Sequence, residues 1–164
     1  MSETAKAIDP AQFRQVLGHY PTGVAAITSL DANGQPLVMI VGTFTSVSLD
    51  PPLVGFLPTK TSASWAAIAA TGRFAVNVLG LDQGALCGQL AGRGDKWAGV
   101  EYRLGERNVP LLAGALVTIE CDIAGTSDAG DHDFVLGAVR SLEVGREGDP
   151  LLYYRGSYGT FTNR

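Results

Sequence analysis

Short apolar runs separated by Gly, Pro, Asn and Asp recur along most of this chain. Runs that are also rich in Val, Ile, Thr and Phe are typical of β-strands. They predict strands over residues 22–30, 37–49, 53–57, 73–79, 115–123, 134–144 and 151–154. The second of these is one long strand or a bent pair, and the Asn33-Gly34 dipeptide before it predicts a hairpin turn.

Three segments predict helices instead. Asp9 suits the N-cap of a helix and Pro10 its first turn, while Pro21 ends the segment. The apolar residues between them fall at helical spacing: Phe13, Val16, Leu17 and Tyr20. Residues 61–70 are rich in Ala and residues 83–90 predict a short helix, whereas the polar, Gly-rich residues 93–110 predict a loop.

Strands outnumber helices in this prediction, and most consecutive strands have no helix between them. A parallel sheet needs a crossover, usually helical, between its strands, so the pattern favours an antiparallel barrel or sandwich. We see no linker or repeat and predict a single domain over residues 1–164, with a flexible N-terminus at residues 1–8. With 164 residues and 46% hydrophobic content, the chain can bury a substantial core.

Charge and composition exclude several classes of function. The net charge of −4 and the lack of a Lys/Arg cluster argue against nucleic acid or an anionic membrane as partner. No apolar run is long enough to span a membrane, and the polar N-terminus is not a signal peptide, so we expect a soluble cytoplasmic protein. Cys87 and Cys121 predict reduced thiols, and two His residues make a metal site improbable.

The residues that begin the second predicted helix form a polar cluster of one cation and three hydroxyls: Lys60, Thr61, Ser62 and Ser64. A helix N-terminus exposes free N–H groups, and hydroxyl and ammonium donors beside it can hold a phosphate. Ordinary capping by Thr61 or Ser62 also explains the hydroxyls and is the better interpretation of them alone. The added Lys60 moves the interpretation toward a phosphate site. The sequence has no Walker A or G-x-G-x-x-G motif that would hold it instead.

The strand before this cluster alternates hydroxyl and apolar side chains. Thr43 and Thr45 share one face, and Phe44 and Ser46 share the other. A half-buried strand with a polar outer face explains the pattern. The functional alternative places these hydroxyls and backbone groups against the polar edge of a flat ring or a ribityl chain.

Two further segments carry candidate groups. His132 lies in the polar loop Gly130–Asp133, as a solvated turn residue or, equally, as a group that binds phosphate, stacks on a nicotinamide or acts as a general acid. Tyr154, Arg155 and Tyr158 near the C-terminus suit stacking on rings and pairing with phosphate, or edge-strand packing at a dimer interface. Lys96 and Trp97 follow a Gly-rich loop and could flank a cofactor.

Taken together, these segments resemble the flavin reductase-like family, the reductase components of two-component flavin-dependent monooxygenases. The matching segments run in the family's order over nearly the whole chain: residues 19–24 (HYPTGV), 44–52 (FTSVSLDPP), 60–65 (KTSASW), 72–79 (GRFAVNVL), 130–132 (GDH) and 154–159 (YRGSYG). The resemblance implies an antiparallel split β-barrel with a few short helices. It also implies a homodimer with the flavin, FMN or FAD, near the subunit interface, and NADH or NADPH as reductant.

The resemblance also assigns site residues. It implies that the flavin is bound by Thr43, Phe44, Thr45, Ser46, Lys60, Thr61, Ser62, Ser64, Asn77, Lys96 and Trp97. It implies that NAD(P)H is bound by His132, Tyr154, Arg155 and Tyr158. No side chain need act as acid or base, because hydride passes from nicotinamide to flavin. Ile40 and Gly42 depart from the family, which often has small polar residues there, and the choice of FMN or FAD stays open.

The expected activity is therefore that of an NAD(P)H:flavin oxidoreductase that supplies reduced flavin to a partner monooxygenase. Three alternatives remain at this point. The chain could be a non-catalytic flavin- or haem-binding protein on a similar barrel, a pyridoxamine-phosphate-oxidase-like FMN enzyme, or a structural dimeric barrel without a ligand. The Gly130–His132 segment and the C-terminal Tyr/Arg cluster favour the reductase over the amine oxidase.

Overall fold

A computed structural model describes residues 7–162, so most of the N-terminus predicted to be flexible lies outside the described residues. The helices are α1 (Pro10–Leu17), α2 (Ala63–Ala69) and α3 (Gly84–Ala91), with a 3-10 turn at Leu81–Gln83. Helix α1 begins as predicted: the Asp9 carboxylate accepts a hydrogen bond from the Gln12 backbone N–H at 3.2 Å. It ends at Gly18, ahead of Pro21.

Within residues 7–162, twelve strands account for the remaining regular structure. They are β1 (Thr22–Gly23), β2 (Ala25–Leu30), β3 (Pro36–Val41), β4 (Thr45–Ser48), β5 (Leu53–Phe56), β6 (Arg73–Val78), β7 (Tyr102–Leu104), β8 (Pro110–Leu112), β9 (Val117–Ala129), β10 (His132–Val144), β11 (Leu152–Tyr154) and β12 (Ser157–Gly159). Seven strands form one antiparallel sheet in the order β3-β2-β6-β9-β10-β5-β4. Strands β1, β11 and β12 form a small second sheet, and β7 pairs with β8.

The connection between β3 and β4 shows how the large sheet must be shaped. These strands are its two opposite edges, yet only residues 42–44 separate them in sequence. Such a link spans at most about 14 Å, whereas the edges of a flat seven-stranded sheet lie roughly 29 Å apart. The sheet therefore curls until its edges approach each other without pairing. This confirms the predicted antiparallel split barrel, and it places the split at residues 42–44.

The interior of the curled sheet is filled by aromatic and aliphatic side chains. Phe56 stands edge-on to Trp65 of α2 and to Phe74 of β6, with ring centroids 5.6 and 5.2 Å apart. A second cluster, which includes Leu79, Leu90 and the Cys87 thiol, lies beneath α3. Helices α2 and α3 both pack against β3, so they flank the same edge of the split. Cys87 and Cys121 are separate, buried free thiols.

The structure contains strands and strand ends that the sequence did not predict. Strand β7 lies inside the predicted loop at 93–110. Its residues are exposed and the segment around them is polar, so the sequence does not indicate its pairing with β8. Strand β12 pairs with β11 across a two-residue turn at Arg155 and Gly156, both with positive φ. Strand β9 continues to Ala129 through polar residues, because its partner β10 rather than an apolar pattern fixes it. His132, predicted in a loop, begins β10.

Candidate functional site

A cavity of about 390 Å³ opens at the split of the barrel, between the end of β3, the beginning of α2 and the end of α3. Its lining contains predicted site residues from four separate segments: Thr43, Ser62, Ser64, Lys96 and His132. The rest of the lining is largely apolar and comprises Met39, Ile40, Val41, Gly42, Leu57, Pro58, Thr59, Leu90 and Ala91. A second cavity of about 380 Å³ adjoins it and shares Gly42, Thr43 and Leu57. The two cavities together form an elongated cleft across the split.

The predicted flavin strand is interrupted at the cleft. Thr43 lies in the link before β4, where its hydroxyl accepts a hydrogen bond from the Leu57 N–H at 2.9 Å and lies 3.3 Å from the Leu57 carbonyl oxygen. This side chain thus replaces a backbone pair between the link and β5. Phe44 and Thr45 line the second cavity, whereas Ser46 is exposed on β4 outside both cavities.

The hydroxyl cluster at the beginning of α2 divides into two groups. Ser62 is the N-cap, and its hydroxyl accepts a hydrogen bond from the Trp65 N–H at 3.1 Å. Ser62 and Ser64 face the cavity together with Lys96, which comes from the loop after α3. Thr61 is exposed and does not line the cavity. The cavity lining therefore includes two hydroxyl-bearing side chains and one lysine.

Lys60 occupies a different environment from the one the sequence suggested. Its ammonium group pairs with the Asp128 carboxylate and donates to the Gly130 carbonyl oxygen at 2.6 Å. The hydrogen bond to Asp128 raises the pKa of Lys60 above its ordinary value and lowers that of Asp128. Lys60 does not line the cavity. Its contribution to phosphate binding therefore stays a prediction without support from a contact.

His132 also lines the cavity, and it occupies the first position of β10. Its Nδ1 is 2.7 Å from the Asp131 carboxylate, and this contact lowers the pKa of Asp131. The side chain is 35% exposed. His132 is thus held at its ring nitrogen by a neighbour while the ring borders the cavity.

Asn77 is fully buried in β6 and does not border the cavity. Its carboxamide donates to the Ala26 carbonyl oxygen at 3.1 Å and to the Thr28 hydroxyl at 3.0 Å. Its carbonyl oxygen accepts a hydrogen bond from the Leu112 N–H at 2.8 Å. The protein's own groups thus satisfy the Asn77 side chain, which favours a structural role over flavin binding.

The C-terminal aromatics form a neighbouring surface rather than part of the cavity wall. Tyr154 and Tyr158 line a cavity of about 350 Å³ beside the β11–β12 hairpin. The Tyr158 oxygen lies 3.5 Å from the Cys87 sulfur, a contact that raises the pKa of Tyr158 to about 12. Arg155 occupies the hairpin turn, and its N–H donates to the Gly18 carbonyl oxygen at 3.0 Å. Trp97 packs edge-on against Tyr102, outside the cleft.

Sequence reasoning missed several residues that line the cleft. Thr22 borders the second cavity and a smaller one of about 220 Å³ that also contains Tyr153 and Tyr158. Gly42 borders both cavities of the cleft and this smaller one. The signal that could have identified Gly42 is its place beside Thr43, where the split requires a link without a bulky side chain.

Among residues 7–162, no group of three or more His, Cys, Asp or Glu side chains could hold a metal ion. In the same residues, no helix has both the length and the apolar character needed to cross a membrane.

Comparison with known proteins identifies the family. The flavin reductase like domain profile matches residues 17–162. The chain is 49% identical to a flavin reductase of Pseudomonas putida, over 94% of this chain and 92% of the relative. It is 46% identical to the HsaB reductase subunit of a flavin-dependent monooxygenase from Rhodococcus jostii, over 94% of this chain and 79% of that subunit.

The fold is also similar to that of a solved structure. That structure is the NADH:FAD oxidoreductase SgcE6 of Streptomyces globisporus C-1027 in complex with NAD and FAD fragments, with a TM-score of 0.87 and 34% identity. The alignment covers 96% of this chain and 98% of SgcE6. Together with the split barrel and its cleft, these matches show that the chain belongs to the flavin reductase-like domain family.

Proposed function

We propose that this chain is an NAD(P)H:flavin oxidoreductase that reduces FMN or FAD and supplies the reduced flavin to a flavin-dependent monooxygenase. One observation carries the proposal: His132 and the hydroxyl and ammonium cluster of Ser62, Ser64 and Lys96 border the same cavity at the split of the barrel. The relatives' activities, as flavin reductase and as monooxygenase reductase subunit, support the same reaction.

The donor chemistry of the cleft fits a flavin phosphate. Ser62 and Ser64 offer hydroxyl donors and Lys96 a full positive charge, the groups that bind phosphate oxygens in proteins. The adjoining apolar wall, with Met39 and Val41, suits the face of a flat ring. We place the phosphate at this cluster and the ring system toward the Thr43 and Phe44 end of the cleft.

The role of the protein is positioning. Flavin and nicotinamide supply the hydride chemistry when bound. The chain's residues have to hold the two rings in contact and keep water away from them. His132 borders the cavity from β10, so we assign the nicotinamide nucleotide to its side. Tyr154, Arg155 and Tyr158 belong to the neighbouring β11–β12 hairpin, and we propose that they contact the same nucleotide. No side chain is required to move a proton.

We also propose that the protein is a homodimer, with one domain per subunit, in the cytoplasm. Helix α1 buries none of its residues in the single chain, although one of its faces is apolar. Phe13, Val16 and Leu17 are 55, 59 and 50% exposed. An apolar face of this kind needs a cover, and a second copy of this chain is the occupant that the family predicts.

The first experiment is NADH and NADPH oxidation followed at 340 nm with added FMN, FAD or riboflavin. We expect turnover that depends on free flavin and identifies the preferred pair. Binding of flavin to the protein without oxidation of either nucleotide would contradict the reductase and favour a flavin-binding protein. Replacing Ser64 by Ala should raise the Kd for FMN more than the Kd for riboflavin, because riboflavin has no phosphate.

The dimer is tested by light scattering with variants of α1. The double variant Phe13→Asp and Leu17→Asp should be a monomer, because each aspartate would be buried unpaired at the proposed interface. Gln15→Asp adds a charge to the opposite side of α1 and serves as the matched control. A dimer that survives the double variant would show that α1 does not form the interface.

A further inference from the structure

The turn that joins β9 to β10 is hydrogen-bonded to the loop that leads into α2. The Lys60 N–H donates to the Asp131 carbonyl oxygen at 3.0 Å, and the Asp133 N–H donates to the Pro58 carbonyl oxygen at 3.0 Å. Between these two bonds, Thr59 forms an isolated antiparallel bridge with His132. The backbone that carries His132 is therefore paired with the backbone that precedes Ser62.

One side chain adds to this backbone pairing from outside the cleft. The Lys60 ammonium group contacts the Asp128 carboxylate on β9 and the Gly130 carbonyl oxygen in the turn. It thus contacts both the end of β9 and the connection to β10. Asp128 and Gly130 are both exposed, so this contact lies at the outer tip of the hairpin, beyond the backbone bonds described above.

A second side chain, from the core, is hydrogen-bonded to the β9–β10 hairpin. Trp65 is 4% exposed and packs edge-on against Phe56. Its Nε1–H donates to the Asp133 carboxylate at 3.0 Å. His132 therefore lies between two anchors, one at Lys60 and one at Trp65, which both belong to the segment that begins α2. Trp65 is part of the core, whereas the Lys60 side chain lies outside it and can be replaced without disturbing the core.

We propose that Lys60 is a positioning residue that holds the β9–β10 turn against the α2 segment and so fixes His132 at the cavity wall. This inference rests on the proposed function, because it concerns the side of the cleft assigned to the nicotinamide nucleotide. Lys60 borders the cavity at no point, and its ammonium group already has an anionic and a carbonyl partner. A phosphate ligand would need that ammonium group to leave both partners.

Steady-state kinetics separate the two roles. Lys60→Met and Asp128→Asn should both raise the KM for NADH several-fold, while the Kd for FMN and for riboflavin stays unchanged. The double variant should have the same KM for NADH as either single variant, because both substitutions remove the same contact. Lys60→Arg should recover most of the lost affinity for NADH. Arg103→Met, which breaks a distant exposed ion pair with Glu143, is the matched control.

A second readout does not depend on activity. The chain has two histidines, so a His19→Gln background leaves the His132 imidazole as the single histidine signal in an NMR spectrum. We expect Lys60→Met and Asp128→Asn to shift or broaden that signal in the same way, and Arg103→Met to leave it in place. If wild type oxidises no nucleotide, the proposed function fails while this spectrum still decides the role of Lys60.

The contrary outcomes are equally definite. Lys60→Met could instead raise the Kd for FMN but not that for riboflavin, while Asp128→Asn changes neither. Lys60 would then be a phosphate ligand, and the positioning role would be wrong. If both variants leave the KM for NADH and the His132 signal unchanged, the contact is an incidental surface pair, and the inference is overturned as well.

Discussion

The side-chain carbonyl oxygen of Asn77 accepts a hydrogen bond from the Leu112 backbone N–H at 2.8 Å, inside the protein. The same carboxamide donates to β2 through Ala26 and Thr28. The Thr28 hydroxyl in turn donates to the Pro110 carbonyl oxygen at 2.6 Å. One buried side chain therefore joins the large sheet to β8, which belongs to a separate pair of strands.

Replacing Asn77 by Ala should destabilise the fold by about 2–4 kcal/mol, because it leaves buried donors and acceptors without partners. Chemical denaturation measures the loss, and Gln35→Ala at an exposed turn is the control. The Kd for flavin, measured where the variant is folded, should not change. A stable variant with weak flavin binding would instead support the sequence-based assignment of Asn77 to the cofactor.

Two glycines in paired strands should respond in opposite ways to alanine. A Cβ at Gly137 would lie 2.5 Å from the Phe74 ring and 3.1 Å from the Cβ of Cys121, whereas at Gly125 it meets nothing within 4 Å. Gly137→Ala should cost about 1–3 kcal/mol by overpacking the core. Gly125→Ala should be neutral or slightly stabilising. Equal unfolding midpoints for the two variants would contradict this account of the packing.

Gly42 should be sensitive to a side chain because of its contact with Thr22. A Cβ at Gly42 would lie 2.8 Å from the Thr22 hydroxyl, and both residues border the cleft. Gly42→Ala should raise the Kd for flavin roughly three- to tenfold, an overpacking cost of about 1 kcal/mol. Adding Thr22→Ala should restore binding, and Gly88→Ala, on exposed α3 surface, is the control. Failure of the second substitution to rescue would mean that the new methyl group itself blocks the cleft.

Alkaline pH should weaken the fold through Cys121. Burial raises the pKa of this thiol from 9.0 to about 12, since the thiolate is poorly solvated in the core. Below pH 9 the thiol is neutral in both the folded and the unfolded state, and its full contribution to stability is present. Between pH 9 and about 12 the thiol ionises more readily in the unfolded state, so the free energy of unfolding falls as the pH rises. The free energy of unfolding of Cys121→Ala should fall less steeply over this range than that of wild type. Parallel curves would contradict the shift.

The sequence supported the architecture well because strand signals are local. The alternating residues around Thr45, the helix start at Asp9 and the Asn33-Gly34 turn each act through neighbours in the chain. Strands that are fixed by pairing with their neighbour rather than by an apolar pattern of their own were missed: β7 pairs with β8, and the polar end of β9 pairs with β10. In those segments no apolar pattern indicates the pairing.

The candidate site was predictable in part for the same reason. Motif order brought Ser62, Ser64 and His132 into consideration, and the structure places them around one cavity. Residue type alone could not show that the Lys60 ammonium group points to Asp128, or that Asn77 lies in the core. Both facts depend on which face of a strand or loop meets solvent once the barrel has curled.

The pairing of β1 with β11 has a consequence for how the protein is made. Thr22 lies opposite Tyr153, so two ends of the described chain are joined through one small sheet. During synthesis, β1 leaves the ribosome long before its partner exists, and its backbone groups have no strand to pair with. The C-terminal hairpin can complete this sheet only once translation has passed β12, so the long-range pairing forms late.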